Sequence, residues 1–154
     1  MDAPIVRPAT RGDVELLVAW HADPEVSRYW DGETFTADEV RARLARADVD
    51  SWIVEEGREP VGYLQSWWED AEPRRGGLDG FLVPHARGRG VMPAAARTLA
   101  QRLLAAGWAE VTVDPYAWNG HAIHAWSKAG FVEVSRRPPD EEHTAEWVLM
   151  RFEA

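Results

Sequence analysis

Between Asp114 and Phe131 the chain leaves one segment of strand character, forms a helix and enters a second strand, in a residue pattern seldom met by chance. Asn119 starts the helix, Ala122, Ile123, Trp126 and Ala129 recur on one face, and Gly130 is placed to end it before Phe131. Strand, amphipathic helix and strand in immediate succession point to a mixed α/β architecture.

The rest of the chain supplies the partners such a joint needs. Ile5-Val6-Arg7 predicts a first strand, and Thr10 with Asp13 three residues on starts a helix through Val14, Leu17 and Val18 to about Trp20. A capping box at Thr36-Ala37-Asp38-Glu39 opens a second helix, with Val40, Leu44 and Ala47 expected on one apolar face. Pro24 to Phe35 is predicted as the loop between them, carrying Trp30, Asp31 and Glu33. Ser51–Glu55 and Pro60–Trp67 form an expected hairpin turning at Gly57. Glu69 to Gly77, with Pro73 and a glycine pair, is predicted as a loop before a fourth strand over Leu78–Val83, where Gly80 marks a bulge or a close backbone approach. Pro93 lies in the first turn of a helix with Ala95, Leu99 and Leu103 at i, i+4 and i+8, ending at Gly107. Glu110–Asp114 is a fifth strand, and Phe131–Ser135 and Glu146–Phe152 are the last two, joined through Pro138 to Glu142. With 154 residues, 45% of them hydrophobic, one domain over residues 1–154 is expected.

Composition narrows the chemistry. The chain has no cysteine, which excludes a thiolate nucleophile, disulfides and cysteine-held zinc. No apolar run is long enough to span a bilayer, and Met1-Asp2-Ala3-Pro4 lacks the features of a signal peptide, so a cytoplasmic protein is expected. A net charge of -9 repels nucleic acid and anionic membranes and attracts cations, although it also serves simple solubility. Nine tryptophans are many for this length; Tyr29-Trp30 and Trp67-Trp68, near Asp31, Glu69 and Asp70, form either aromatic and acidic walls for an amine-rich ligand or part of the core. His121, His124 and Lys128 share a helical face that is expected to be a polar exterior, and no metal site is expected.

Arg87-Gly88-Arg89-Gly90-Val91-Met92 follows a strand and opens a helix. Free backbone N–H groups and the helix dipole there suit a pyrophosphate, while a basic glycine turn is also an ordinary connection. Together with Asn119-x-x-Ala122-Ile123-x-x-Trp126-x-Lys128-x-Gly130-Phe131 and the order of strands and helices, this turn resembles the GNAT superfamily of N-acetyltransferases, whose signature Q/R-x-x-G-x-G/A is met with Arg87 first, Gly90 in the middle and Met92 where a small residue is usual. Within it the chain is most similar to aminoglycoside 6′-N-acetyltransferases, through Tyr29-Trp30-Asp31-Gly32, Glu59-Pro60-Val61-Gly62-Tyr63-Leu64-Gln65-Ser66, Gly77-Leu78-Asp79 and Thr112-Val113-Asp114-Pro115 leading to Asn119.

The resemblance implies the GNAT fold, a mixed and mostly antiparallel sheet flanked by helices with strands four and five splayed around acetyl-CoA. It implies that Leu82 and Val83 pair with the pantetheine arm, that Asn119 meets the arm from the other side, and that Arg87, Gly88, Arg89, Gly90, Val91 and Met92 cradle the phosphates. Pro93 removes one N–H from that cradle. On the acceptor side it implies Asp79 as the catalytic carboxylate beside the reacting amine, Asp114 as a second substrate carboxylate, Gln65 bonding sugar hydroxyls, and Trp30 and Asp31 lining the site. Trp126 stands where many relatives have a tyrosine that protonates the departing thiolate. A free thiol has a pKa near 8.5, so water, Ser127 or the substrate's own proton suffices there.

The expected function is direct transfer of acetyl from acetyl-CoA to the 6′-amine of an aminoglycoside, giving antibiotic resistance, by a monomer or homodimer. Two alternatives share the fold: acetylation of a protein N-terminus or a small metabolite amine, and a degenerate acyl-CoA-binding module. Convergence of Asp31, Asp79 and Asp114 on one site, or their dispersal, discriminates the first two readings, and cofactor binding without turnover on a panel of amines marks the third.

Overall fold

A computed structural model describes residues 3–153, the Asp70 side chain excepted. Strands β1 (Ile5–Pro8), β2 (Val49–Glu56), β3 (Glu59–Ala71), β4 (Arg74–Leu82), β5 (Glu110–Val113), β6 (Phe131–Arg137) and β7 (Trp147–Phe152) form one seven-stranded sheet in the order β1-β2-β3-β4-β5-β7-β6. Helices α1 (Val14–Ala22), α2 (Pro24–Ser27), α3 (Ala37–Leu44), α4 (Val91–Ala105) and α5 (Gly120–Ala129), with short 3-10 helices at Arg11–Asp13 and Pro84–Ala86, complete the described architecture. All neighbouring strands run antiparallel except β4 and β5.

That one parallel pair is short. It joins Arg75, Gly76 and Gly77 to Glu110, Val111 and Thr112. Beyond it β4 stays on β3 as far as Leu82, while β5 turns to β7 on its other side. The two middle strands therefore part after Gly77, and their separation is the gap on which the site is built.

Side chains alternate across the sheet and divide the core in two. On one face Val54, Leu64, Leu78 and Leu82 pack beneath α4 and α5 with Ala95, Leu99, Leu103, Trp126 and Phe131. On the other, Ile53, Tyr63 and Phe81 pack with Val14 and Leu17 of α1 and Val40 of α3. The i, i+4, i+8 spacing of Ala95, Leu99 and Leu103 is the buried stripe of α4. Capping boxes hold Thr10 to Asp13 and Thr36 to Glu39, satisfying backbone N–H groups that a helix start leaves unpaired. Arg7 clamps the first of them, with Nη1 and Nη2 donating to Asp13 at 2.9 Å each.

Several sequence expectations are corrected. Glu69 to Gly77 is not a loop, because β3 continues to Ala71 and β4 begins at Arg74. Gly76 and Gly77 belong to that ladder: a Cβ on Gly77 would stand 2.6 Å from the Thr112 carbonyl and 2.7 Å from the Trp67 ring, so only glycine permits the approach. Gly80 is a close approach and not a bulge, since its register with Leu64 is regular and a Cβ would meet Leu64 and the Tyr63 carbonyl at 2.6 Å. Pro24 to Phe35 contains α2, capped by Asp23. Ala47 lies beyond the end of α3 and is exposed, so it adds nothing to that helix's apolar face.

Candidate active site

Register places Ser51, Gln65 and Asp79 side by side on one face of β2, β3 and β4. Two residues along, Tyr63 is fully buried with its hydroxyl among them. It donates to Gln65 Oε1 at 3.0 Å and lies 2.8 Å from Ser51 Oγ. Its one proton is thereby used, so Ser51 is the donor in the second bond. Gln65 Nε2 then donates to Asp79 Oδ2 at 3.2 Å. The result is a directed chain from Ser51 to Asp79 that fixes the orientation of the Gln65 amide.

Asp79 is half-buried, at the point where β4 and β5 part. Loss of solvation, followed by the nearby charge of Asp114, pushes its pKa up to about 7; Gln65, Trp67 and His143 pull the other way. A carboxyl in this state takes and returns a proton near neutrality.

Asp114 follows the last residue of β5 and accepts from His143 Nε2 at 2.7 Å through Oδ2. The other ring nitrogen of His143 lies 2.8 Å from Asp140 Oδ1. Burial lowers the proton affinity of His143, but the bonds to Asp140 and Asp114 outweigh it and its pKa is raised. Tyr116 links this group to the α2–α3 loop, since its hydroxyl donates to Asp31 Oδ1 at 3.2 Å while Thr144 N–H donates to it at 3.3 Å. Asp31 holds a left-handed backbone, φ 53°, which Asp tolerates better than most residues. Asp31, Asp79 and Asp114, far apart in sequence, are thus brought to one region. His143, Asp140 and Tyr116 were not foreseen, because their roles come from contacts spanning up to 85 residues.

At the other end of the gap, Gly90 caps α4 with φ 78° and Gly88 has φ 80°. Among the described residues, no hydrogen-bond acceptor serves the N–H groups of Gly88, Arg89, Gly90, Val91 and Met92. These amides, at a helix N-terminus, form a concave donor set suited to a phosphate. The two arginine side chains of the turn are engaged elsewhere. Arg87 donates to the carbonyls of Leu82 (3.1 Å) and Glu25 (2.7 Å), and Arg89 makes a bidentate pair with Glu56 at 2.7 and 2.8 Å. Met92 packs against the main core.

Val83 N–H donates to Val61 O at 2.9 Å, so the backbone groups of Val83, Phe81 and Asp79 point to β3. Alternate residues of an antiparallel pair face the other way, which turns the backbone of Leu82 and Gly80 to the gap. Asn119 Oδ1 caps α5 by accepting from Ala122 N–H at 3.1 Å, and its NH₂ group is left for other contacts.

The aromatic residues divide. Trp30 meets Phe81 edge-on at 5.8 Å, and its ring already carries the Arg43 guanidinium at 5.8 Å. Arg43 also covers Phe35 at 4.4 Å and donates to His21 Nε2 at 3.1 Å. Burial, with Arg43 adding to it, lowers the pKa of His21 to about 4, so the ring is neutral. Trp67 lies on the Asp79 face, whereas Trp68 packs on the opposite one against Trp108 at 5.8 Å. Trp126 is buried against Phe131 at 5.5 Å. Glu69, His121, His124 and Lys128 are exposed, and Asp70 lies outside the described side chains. Among the described residues no group of three or more His, Asp or Glu side chains is arranged to hold a metal ion, and no helix is long and apolar enough to cross a membrane.

A sheet that splays beyond a parallel β4–β5 pair, with an amide-rich turn at one end of the gap and two carboxylates at the other, defines the acetyltransferase class of α/β folds. The family comparison agrees: residues 5–132 match the model of the acetyltransferase (GNAT) domain, and the chain belongs to that family. Among solved structures it is similar to AAC(6')-Ib in complex with paromomycin and acetyl-CoA, with 25% identity and a TM-score of 0.83 over 98% of this chain and 93% of that one. It is also similar in fold to an aminoglycoside N(6')-acetyltransferase from Legionella pneumophila (18% identity, TM-score 0.78, 99% and 93% covered) and to spermidine N-acetyltransferase from Vibrio cholerae in complex with CoA and spermine (18%, 0.77, 97% and 94%). No curated protein matches the sequence.

Proposed function

We propose that this protein transfers acetyl from acetyl-CoA to a primary amine of a polycationic acceptor, and specifically to the 6′-amine of an aminoglycoside. The observation that carries the reading is the placement of two carboxylates, Asp79 on β4 and Asp114 just past the end of β5, where these strands part. The aminoglycoside specificity draws on the likeness to AAC(6')-Ib.

The free amides of Gly88, Arg89, Gly90, Val91 and Met92 fit a pyrophosphate, and the backbone of Leu82 with the Asn119 amide fits a pantetheine arm. When bound, acetyl-CoA supplies a thioester carbonyl open to attack by an amine. Asp79 holds the acceptor ammonium and takes its proton, freeing the lone pair for attack. A base poised near neutrality contributes roughly 10²- to 10⁴-fold. Asp114 and Asp31 hold further ammonium groups, and Gln65, oriented by Tyr63, faces the sugar. With no cysteine in the chain there is no thiol to carry the acetyl group, and transfer is direct: the C–N bond forms as the thioester C–S bond breaks, and the coenzyme A thiolate leaves with the second amine proton, directly or through water.

The test is acetyl-CoA-dependent thiol release with kanamycin and tobramycin, run beside spermidine and a peptide N-terminus. Turnover confined to aminoglycosides supports the reading. Turnover on spermidine alone replaces the acceptor, and cofactor binding with no turnover on any amine leaves only a binding module.

A further inference from the structure

His143 lies in the segment between β6 and β7, which is otherwise highly exposed, yet only 8% of its surface is accessible. It is wedged between two carboxylates, with Nε2 2.7 Å from Asp114 Oδ2 and Nδ1 2.8 Å from Asp140 Oδ1. With both carboxylates ionised each can only accept, so both ring nitrogens donate and the site holds the ring as an imidazolium. Its backbone is fixed as well: His143 N–H donates to Asp140 Oδ1 at 2.8 Å, and Asp140 N–H donates to the His143 carbonyl at 3.0 Å. Trp147 stacks on the ring at 4.1 Å, nearly parallel at 11°, an arrangement that favours a cation.

The surroundings account for the charge. Asp114 comes from the end of β5, Asp140 from the same loop, and Tyr116 meets the ring edge-on at 5.9 Å from the β5–α5 connection. Arg137 of β6 lies over Trp147 at 5.6 Å, and Asp79 of β4 feels both Asp114 and His143. His143 is the cation within this acidic group. Asp114 Oδ2 is committed to it, whereas Asp114 Oδ1 accepts no hydrogen bond from the described residues.

We propose that His143 is a positioning residue for the acceptor: it clamps Asp114 against Asp140 so that only Asp114 Oδ1 is presented to a second ammonium. The proposal rests on the acceptor role given above to Asp79 and Asp114, and it assigns the residue that sets the contact with the acceptor's second ammonium. An acceptor that uses both carboxylates carries at least two ammonium groups, so a diamine or polyamine is served and a monoamine gains nothing from the clamp.

Wild type, His143→Ala and His143→Gln are compared with tobramycin and with a monoamine sugar across pH 5.5 to 9. Calorimetric binding of tobramycin and long-range ¹H–¹⁵N spectra of the histidines accompany the kinetics, and thermal melts report folding. In His143→Ala we expect KM for tobramycin to rise about tenfold with a smaller change in kcat, the acid limb of kcat/KM to move to higher pH, and the monoamine KM to stay within about twofold. Glutamine keeps one neutral donor for Asp114, so His143→Gln should recover much of KM while the acid limb stays displaced. The wild-type ring should carry protons on both nitrogens at pH 7. A neutral wild-type ring, or unchanged tobramycin KM and acid limb in folded His143→Ala, overturns the clamp while leaving acetyl transfer standing. Wild type that neither binds nor acetylates tobramycin overturns the proposed function and the clamp's substrate role together.

Discussion

Gln65 and Asp79 face each other across the β3–β4 pair, and Gln65 Nε2 donates to Asp79 Oδ2 at 3.2 Å. The bond favours the ionised carboxylate, against burial and Asp114, which both favour the neutral acid. Since Asp79 must be ionised to take the acceptor's proton, kcat/KM is expected to rise with pH through about 7. Gln65→Ala removes the stabilising donor, so this limb should shift to higher pH and the rate at pH 6.5 should fall more than the rate at pH 8.5. A pH profile of both proteins checks the sign.

Asp79→Asn separates chemistry from stability. The amide cannot take a proton, and kcat/KM should drop roughly 10²- to 10⁴-fold. Stability should move the opposite way. The folded pKa of about 7 lies above the ordinary value of 3.8, so the folded state holds a proton that the unfolded chain has lost between those limits, and stability declines as pH rises from about 4 to about 7. Asparagine escapes that decline while keeping an oxygen for Gln65. Melting curves should therefore show the variant gaining on wild type by about 1 kcal/mol or more at pH 8 and by nothing at pH 4.

Asp31→Asn isolates a charge without disturbing its backbone. Asparagine tolerates the left-handed φ of 53° and still accepts the Tyr116 hydroxyl. The melting temperature should stay within about 1 °C, while KM for a polycationic acceptor should rise a few-fold and lose part of its salt dependence. Steady-state assays at low and high ionic strength measure both effects.

How far the sequence reveals this molecule depends on the range of the interactions involved. The stripes of α4 and α5 and the two capping boxes follow from local spacing, whereas the splayed middle strands and the roles expected of Asp79 and Asp114 come from the family resemblance; Asp79 lies inside β4 and Asp114 just past the end of β5. Glu69 to Gly77 misleads because Pro73 and two glycines ordinarily mark a loop. Here the glycines answer a non-local demand, the Trp67 ring and the Thr112 carbonyl filling the space of a Cβ. His143 follows a loop rich in Pro, Asp and Glu, and nothing nearby shows that it meets Asp114, 29 residues away. The arginines of the glycine turn show the same limit. Their position suggests phosphate contacts, while their side chains end on Leu82, Glu25 and Glu56.

That last relationship yields a prediction opposite to the one the charge pattern suggests. Arg89 is exposed and paired with Glu56, and solvent screens such a surface pair so that it adds little to stability. Arg89→Ala keeps the backbone N–H and should leave affinity for coenzyme A within about threefold and the melting temperature nearly unchanged. Gly90→Ala should do the reverse. Nothing lies within 4 Å of the added Cβ, so there is no clash, yet φ 78° is a conformation that alanine adopts at a cost of about 1 to 2 kcal/mol. The turn should relax away from it and misalign the five amides, lowering both stability and coenzyme A affinity, the latter by about tenfold. Calorimetry with coenzyme A on the two variants decides between side chains and backbone as the phosphate-binding element: a large loss in Arg89→Ala with none in Gly90→Ala would reverse the assignment.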